Sequence, residues 1–506
     1  THDDITRLVR AEFAHDCSKE YRLDISMNGM EIRVEIDGSH VFTYGPEANA
    51  GGDTPIFPRG RIALYATTTC FFSSIGVTQS EEEHHRDTVH AEERRNALAK
   101  QRELYPKPEL WRRIDTKGYG TGRQIRFGHL SGTGQLDILL AQNLKLLSGG
   151  DSYTTIRCLT AINLAGDVLW QWGEPSESLD AALVTCDLPV QIYDIDGDGQ
   201  DEVICLKNFR LYVLDGRTGE VKNQRNLPLN PKEEHQFGRL LGDAIIIANL
   251  RGTSRPADII IKNRYRQIWA FDQDLNELWT REFDTFQTGH FAQPYDFNGD
   301  GRDELYIGYC LLGSDGSTIW THEWEDHTDE IAIGRFDPRL PDPQIAVVAG
   351  EAGFAAFDMH GKVLFRNRLG HAQRLTAAKI RSDLAGIQFA VITYWGHAGI
   401  VSIHDCRGSE LLHFEPTTMG VTLGPVNWDG SGAELLLLNG SPSRGGMIDG
   451  HGRRVVLFPD DGHPEMCCEA LDLAGDRRDE IVLWDKDSIW IYTQEDTGVE
   501  TGADSM

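Results

Sequence analysis

Eight stretches of this chain repeat one pattern: a short turn rich in acidic residues and glycine that breaks into a run of apolar residues. The clearest copies are DIDGDGQDEVICL (194–206) and DFNGDGRDELYIG (296–308). HLSGTGQLDILLA (129–141), NLRGTSRPADIIIK (249–262), RFDPRLPDPQIAVVA (335–349), KIRSDLAGIQFAVIT (379–393), NWDGSGAELLLLN (427–439) and DLAGDRRDEIVLW (472–484) are worn versions. Most are followed by a second hairpin such as LYVLDGRTGEV (211–221) or FAAFDMHGKVLF (354–365), in which an Asp/Gly turn joins alternating apolar runs. Each unit reads as a four-stranded antiparallel sheet, and a period of roughly 40 to 65 residues with four short strands is the mark of a β-propeller blade. The expected fold is all-β, an eight-bladed β-propeller. Its last unit runs out of strands before the polar tail, so ELWRRIDT (109–116) is expected to pair there and cover an edge that would otherwise invite association.

The expected boundaries are a small N-terminal β segment at 1–79, a helical linker at 80–108, the propeller at 109–496 and a flexible tail at 497–506. SEEEHHRDTVHAEERRNALAKQREL (80–104) is charged and free of Gly and Pro, as an exposed connecting helix would be. Upstream, Asn28-Gly29 marks a hairpin between alternating strands, and RGRIALYATTTCFFSSIGV gives another strand pair. This segment resembles the final strands of a concanavalin-like (laminin-G type) jelly roll, which makes it a partial one.

Formal charge is -29, from 49 basic against 78 acidic residues, which speaks against nucleic acid or an anionic membrane as partner. The nine cysteines are scattered without a CxxC pair and read as reduced. No apolar run is long enough for a membrane helix. Compartment stays open: cytoplasmic if Thr1 is the native start, secreted if a signal peptide was removed.

In DIDGDGQDE, Asp194, Asp196 and Asp198 occupy positions one, three and five of a tight loop, with the Gln200 carbonyl and a carboxylate from Asp201 or Glu202 to complete an oxygen cage. Asp296, Asn298, Asp300, the Arg302 carbonyl and Asp303 or Glu304 match them. Such a cage suits Ca²⁺. Two structural Ca²⁺ loops are therefore expected, and the six worn copies are expected to keep the bend without the ion.

The opposite ends of the inner strands carry chemistry of another kind. GHFAQ (289–293), DHTDE (326–330), GHAQR (370–374) and GHPEM (462–466) start four units with a histidine, so His290, His327, His371 and His463 are expected on one face as proton-transfer groups or as ligands of an additional metal. Loops on that face add Lys207, Arg210, Lys262, Arg264, Arg266 and Arg444, with Tyr394, Trp395 and His397 in TYWGHAG, and Arg123 and Arg239 near two further unit starts. A basic mouth on so acidic a chain is the kind of local patch that an anionic ligand would need, with Trp395 placed to stack on a sugar face.

The D-x-D/N-G-D-G-x-D-E loops resemble the calcium-binding repeats of FG-GAP and VCBS propellers, and LAGDRRDEIVLWDKDSIWIYT (473–493) is similar to the last blade of rhamnogalacturonan lyases of polysaccharide lyase family eleven. The resemblance implies an eight-bladed, Ca²⁺-dependent enzyme whose partner is an acidic plant or microbial polysaccharide or oligosaccharide, a rhamnogalacturonan or rhamnose-glucuronate glycan cleaved by β-elimination. Such a lyase needs a cation for the uronate carboxylate, a base for the C5 proton and an acid for the leaving oxygen. The expected assignment puts Lys262, Arg264 and Arg266 on the carboxylate, proton transfer on His327, His371, Tyr394 or His397, and His290 and His463 as alternates. Two alternatives stay open: a propeller glycosidase using Asp329 with Glu351 or Glu465, and a non-catalytic glycan-binding or adhesion module.

Overall fold

The structure, a computed structural model, describes residues 11–14, 16, 18–28, 31–45, 74–76, 78–147, 153–178, 188–230, 237–263, 265–284, 288–394, 399–415, 423–465 and 467–495. Chain contacts divide it into two compact units, essentially Asp3–Ala91 and Glu92–Met506. The first holds a meander of Leu23–Asn28, Glu31–Ile36 and Ser39–Tyr44. The expected second strand pair, 59–77, and the tail lie almost wholly outside the described residues. The helix Glu81–Arg102 fills the charged stretch; its exposed, polar surface all round explains why the sequence there shows no apolar stripe.

The second unit is built, among the described residues, of eight four-stranded antiparallel sheets, seven of them running in strict chain order. The acidic turn separates the first and second strands of each: Val190–Tyr193 pairs with Glu202–Lys207 across the 194–201 turn, and Ala292–Tyr295 with Glu304–Ile307 across 296–303. The eighth sheet is the exception. Cys467–Leu471, Glu480–Trp484 and Ser488–Gln494 are completed by Pro108–Asp115, with Gln494 opposite Pro108 and Ser488 opposite Asp115. The pairing expected for 109–116 is present, displaced by one residue.

The apolar runs are buried on both faces because the sheets stack face to face. Val203 and Cys205 pack against the first sheet while Ile204 and Leu206 pack against the third, the period-two alternation of a strand. Among the described residues seven such clusters each join two consecutive sheets, and one more joins the eighth to the first through Trp484, Ile489, Ile138 and Leu140. Truncating one of these residues, Ile204→Ala for instance, costs about 2–5 kcal/mol. A latch repeats at the rim: Trp320 Nε1 donates to the Met359 carbonyl (2.9 Å), and its ring lies over Gly361. With φ +83° and the indole 2.8 Å from where a Cβ would stand, that turn accepts glycine alone.

The acidic turns are held by their own side chains. Asp194 Oδ1 accepts the Gly197 and Asp198 amides and Oδ2 accepts Gly199; Asp296 does the same for Gly299, Asp300 and Gly301. The ninth-position carboxylate closes the loop, Glu202 on the Ile195 amide and Glu304 on Phe297, both at 3.0 Å. The eighth-position carboxylate does something the sequence reading did not assign. Asp201 accepts the His129 amide at 2.9 Å and Asp303 the Asn249 amide at 2.7 Å, each in the preceding sheet. Asp479 and Glu434 repeat this on Asn427 and Lys379. Asp201 and Asp303, expected as alternative ion ligands, each spend one carboxylate oxygen as an inter-sheet staple on a neighbouring backbone amide.

Candidate functional site

Three of the four histidines that open units meet. His290 precedes the first strand of the fourth sheet, His327 that of the fifth and His371 that of the sixth, so neighbouring sheets bring them side by side. The Nε2 atoms of His290 and His327 each stand 3.5 Å from the same Asp329 oxygen, and donor atoms of these three residues all lie within 4.8 Å of one another. The His290 and His327 rings are 4.9 Å apart, and His371 follows 6.5 Å from His327. Asp329 Oδ2 accepts the Gly350 amide, and Gln373 donates to Oδ1, so the carboxylate is aimed before any ligand arrives.

Behind this row sits Asp326, which the sequence reading passed over although it directly precedes a histidine. Its Oδ1 binds His327 Nδ1 at 2.7 Å, while Oδ2 accepts the Glu351 amide at 3.0 Å and lies 3.6 Å from His371 Nδ1. Gly350, at φ +45°, makes room: a Cβ there would lie 2.1 Å from Asp326 Oδ2. Burial works against the Asp326 carboxylate, but bonds to His327 and to the Glu351 amide outweigh it and hold the group well below the usual carboxylate range. For His327, burial favours the neutral ring, yet the bonds and charges of Asp326 and Asp329 raise it to about 9. Burial pushes Asp329 up, with His327 and His371 pulling the other way. The Tyr265 ring, also missed, lies 4.9 Å from His327 and 5.6 Å from His290. No local signal marks Tyr265, since it reaches the site from the third sheet's loop.

Other expected residues fall elsewhere. His463 is buried beside Phe458 and Tyr492, its two ring nitrogens each 2.9 Å from a carbonyl, of Pro464 and Pro459; it is corrected to a turn-holding residue. The Tyr394 amide donates to the His371 carbonyl (2.8 Å), but its ring packs on an apolar cluster of the sixth and seventh sheets. Lys262 is fully buried, 3.3 Å from Asp243, and so is withdrawn from any substrate. Lys207 donates to the Arg157 carbonyl and lies over Trp172, Arg210 binds Asn226 and Gln224, and Arg239 binds the Leu227 carbonyl; each is spent on neighbouring structure. Arg123, Arg266 and Arg444 are exposed at strand ends. Glu351 joins the cluster, 3.7 Å from His371 Nδ1, whereas the Glu465 carbonyl caps Gly440. Arg264, Trp395 and His397 lie outside the described residues.

Comparison with known proteins bears on this half of the molecule. Residues 260–501 match the model of rhamnogalacturonan lyase family 11, C-terminal domain. That span contains His290, His327, Asp329, Glu351 and His371. Rhamnogalacturonan endolyase YesW of Bacillus subtilis is 24% identical over 262 residues, 42% of this chain and 42% of its own length. The chain thus spans less than half of that curated relative. The crystal structure of YesW superimposes with TM-score 0.56 at 20% identity, over 77% of this chain and 74% of that one. The Bacillus licheniformis rhamnogalacturonan lyase PL11 does so with 0.57 at 18%, over 92% and 79%. The V. cholerae biofilm matrix protein Bap1 also shares the fold (TM-score 0.53, 12% identity, 78% and 92% covered), so architecture alone does not assign an activity.

Proposed function

We propose that this chain is a polysaccharide lyase that cleaves a rhamnogalacturonan or rhamnose-glucuronate glycan by β-elimination, and that its eight sheets are the blades of a β-propeller. The observation that carries the reading is the buried Asp329 carboxylate flanked by two imidazole nitrogens, inside the stretch that matches a rhamnogalacturonan lyase family. Two nitrogens and a carboxylate within 4.8 Å of one another fit a divalent cation that accepts nitrogen ligands, and His290, His327 and Asp329 would hold it. Such an ion, when bound, supplies the positive charge that neutralises a uronate carboxylate and acidifies the C5 proton.

The remaining tasks belong to side chains. Asp326, bonded to Nδ1 of His327, directs that ring's Nε2 toward the ligand position. His371 takes the C5 proton, and Asp326 and Glu351, at 3.6 and 3.7 Å from its Nδ1, steady the imidazolium that results. Arg266, with Arg123 and Arg444, draws the polyanion in. The Asp296–Glu304 loop is assigned a structural Ca²⁺.

The test is ultraviolet absorbance from unsaturated uronates as the protein meets rhamnogalacturonan, with His327→Ala alongside. A rise that the variant loses supports the lyase. New reducing ends without absorbance would replace it with a hydrolase, and binding without either signal with a glycan-binding module.

A further inference from the structure

The two loops with a full acidic motif are not equivalent. In the 194–202 loop the ammonium of Lys222, from the outer strand Val221–Asn226 of the same sheet, lies 2.6 Å from Asp196, 2.7 Å from Glu202 and 3.4 Å from Asp198. Three N–H donors meet three carboxylates, two of which belong to the cluster that could otherwise take an ion. Strand register shows how unusual this is. Val221 pairs with Leu214 at a bulge, and Lys222 is the next residue. At the same register six other sheets carry Leu169, Leu278, Ile319, Leu364, Leu411 and Val455. Only apolar side chains stand there, Ile319 being the one in the sheet that carries the 296–304 loop. Among the described residues no lysine or arginine pairs with Asp296, Asp300 or Glu304.

We propose that Lys222 is the resident cation of the 194–202 loop, which therefore folds without Ca²⁺, while the 296–304 loop alone of the two responds to it. The chemistry is a substitution of one cation by another. Ca²⁺ requires six to eight oxygen ligands, and in the second sheet those of Asp196, Asp198 and Glu202 are already turned to a tethered ammonium whose presence does not depend on ion concentration. In the fourth sheet the Asn298 amide bonds Glu304 (2.9 Å), and among the described residues no tethered charge competes. The consequence is positional: the calcium-responsive loop is the one whose inner strand, Ala292–Tyr295, leads from His290. The role of 296–304 rests on the reading given under Proposed function; that of Lys222 does not.

Hydrogen exchange of the full chain, followed by peptide mass analysis in Ca²⁺ buffer and after chelation, separates the two. Chelation is expected to cost protection in 296–304 and to leave 194–202 unchanged. In Lys222→Met, 194–202 is expected to lose protection on chelation and regain it with added Ca²⁺. Calcium-sensitive protection of 194–202 in the unsubstituted protein would overturn the proposal, and that measurement needs no variant. So would a folded Lys222→Met whose 194–202 loop ignores Ca²⁺. If 296–304 ignores chelation while the Lys222→Met loop responds, the calcium reading of 296–304 fails and the assignment of Lys222 stands.

Discussion

The two ends of the sheets follow opposite rules. At the turn end the same hydrogen bonds recur around the molecule: first-position Asp on its own loop amides, ninth-position carboxylate on the second amide, eighth-position carboxylate on the neighbouring sheet. At the histidine end nothing recurs in that way among the described residues; His290, His327 and His371 occupy three consecutive sheets, and His463, which follows a glycine as His290 and His371 do, is spent on two carbonyls. Repetition here marks structure, because each sheet must solve the same stacking problem. Chemistry appears where neighbouring sheets differ from the repeat and their odd side chains meet.

That contrast can be broken by experiment. The largest effect is expected from His327→Ala, which should lower turnover on rhamnogalacturonan about 10²-fold or more with circular dichroism unchanged; near-normal turnover would move the site off this end. Asp326→Asn should cost roughly 10–100-fold in turnover or metal affinity, since it acts through His327. It also has a signature in stability. In chelator, the His327 pKa is raised to about 9 in the fold from an ordinary 6.5, so its contribution is complete below 6.5 and is lost as pH rises through 9. Melting temperature should fall across that window, and Asp326→Asn should flatten the fall.

At the turn end the expectation reverses. Asp479→Ala removes the staple to Asn427 and should cost about 1–3 kcal/mol by denaturant unfolding while activity per folded molecule holds. Loss of activity at unchanged stability would show that the turn end is more than scaffold. The smallest effect is expected from Arg266→Ala, a rise in KM of a few-fold with kcat held, as for removal of uniform binding; a fall in kcat alone would place Arg266 at the reacting atoms.

Much of the fold was legible because it is periodic. Acidic turns every few tens of residues placed the first two strands of each sheet, and the missing last strand pointed to 109–116. The site was legible only in part. Histidines preceding inner strands were visible, but not which of them meet, and Lys207, Lys262, Arg210 and Arg239 looked free because their partners, Arg157, Asp243, Gln224 and Leu227, are not sequence neighbours at strand ends.

The sequence by itself determined the sheet unit, its turns and its apolar alternation, since these depend on contacts within a few residues along the chain. The tertiary structure alone decided that Asp326, Asp329 and Tyr265 would gather around two histidines, that Asp201 and Asp303 would hold a neighbour, and that Lys222 would enter a loop twenty-odd residues away. The reason is physical: a charge or ring takes its role from what is packed against it, and in this molecule that partner comes from another strand or another sheet.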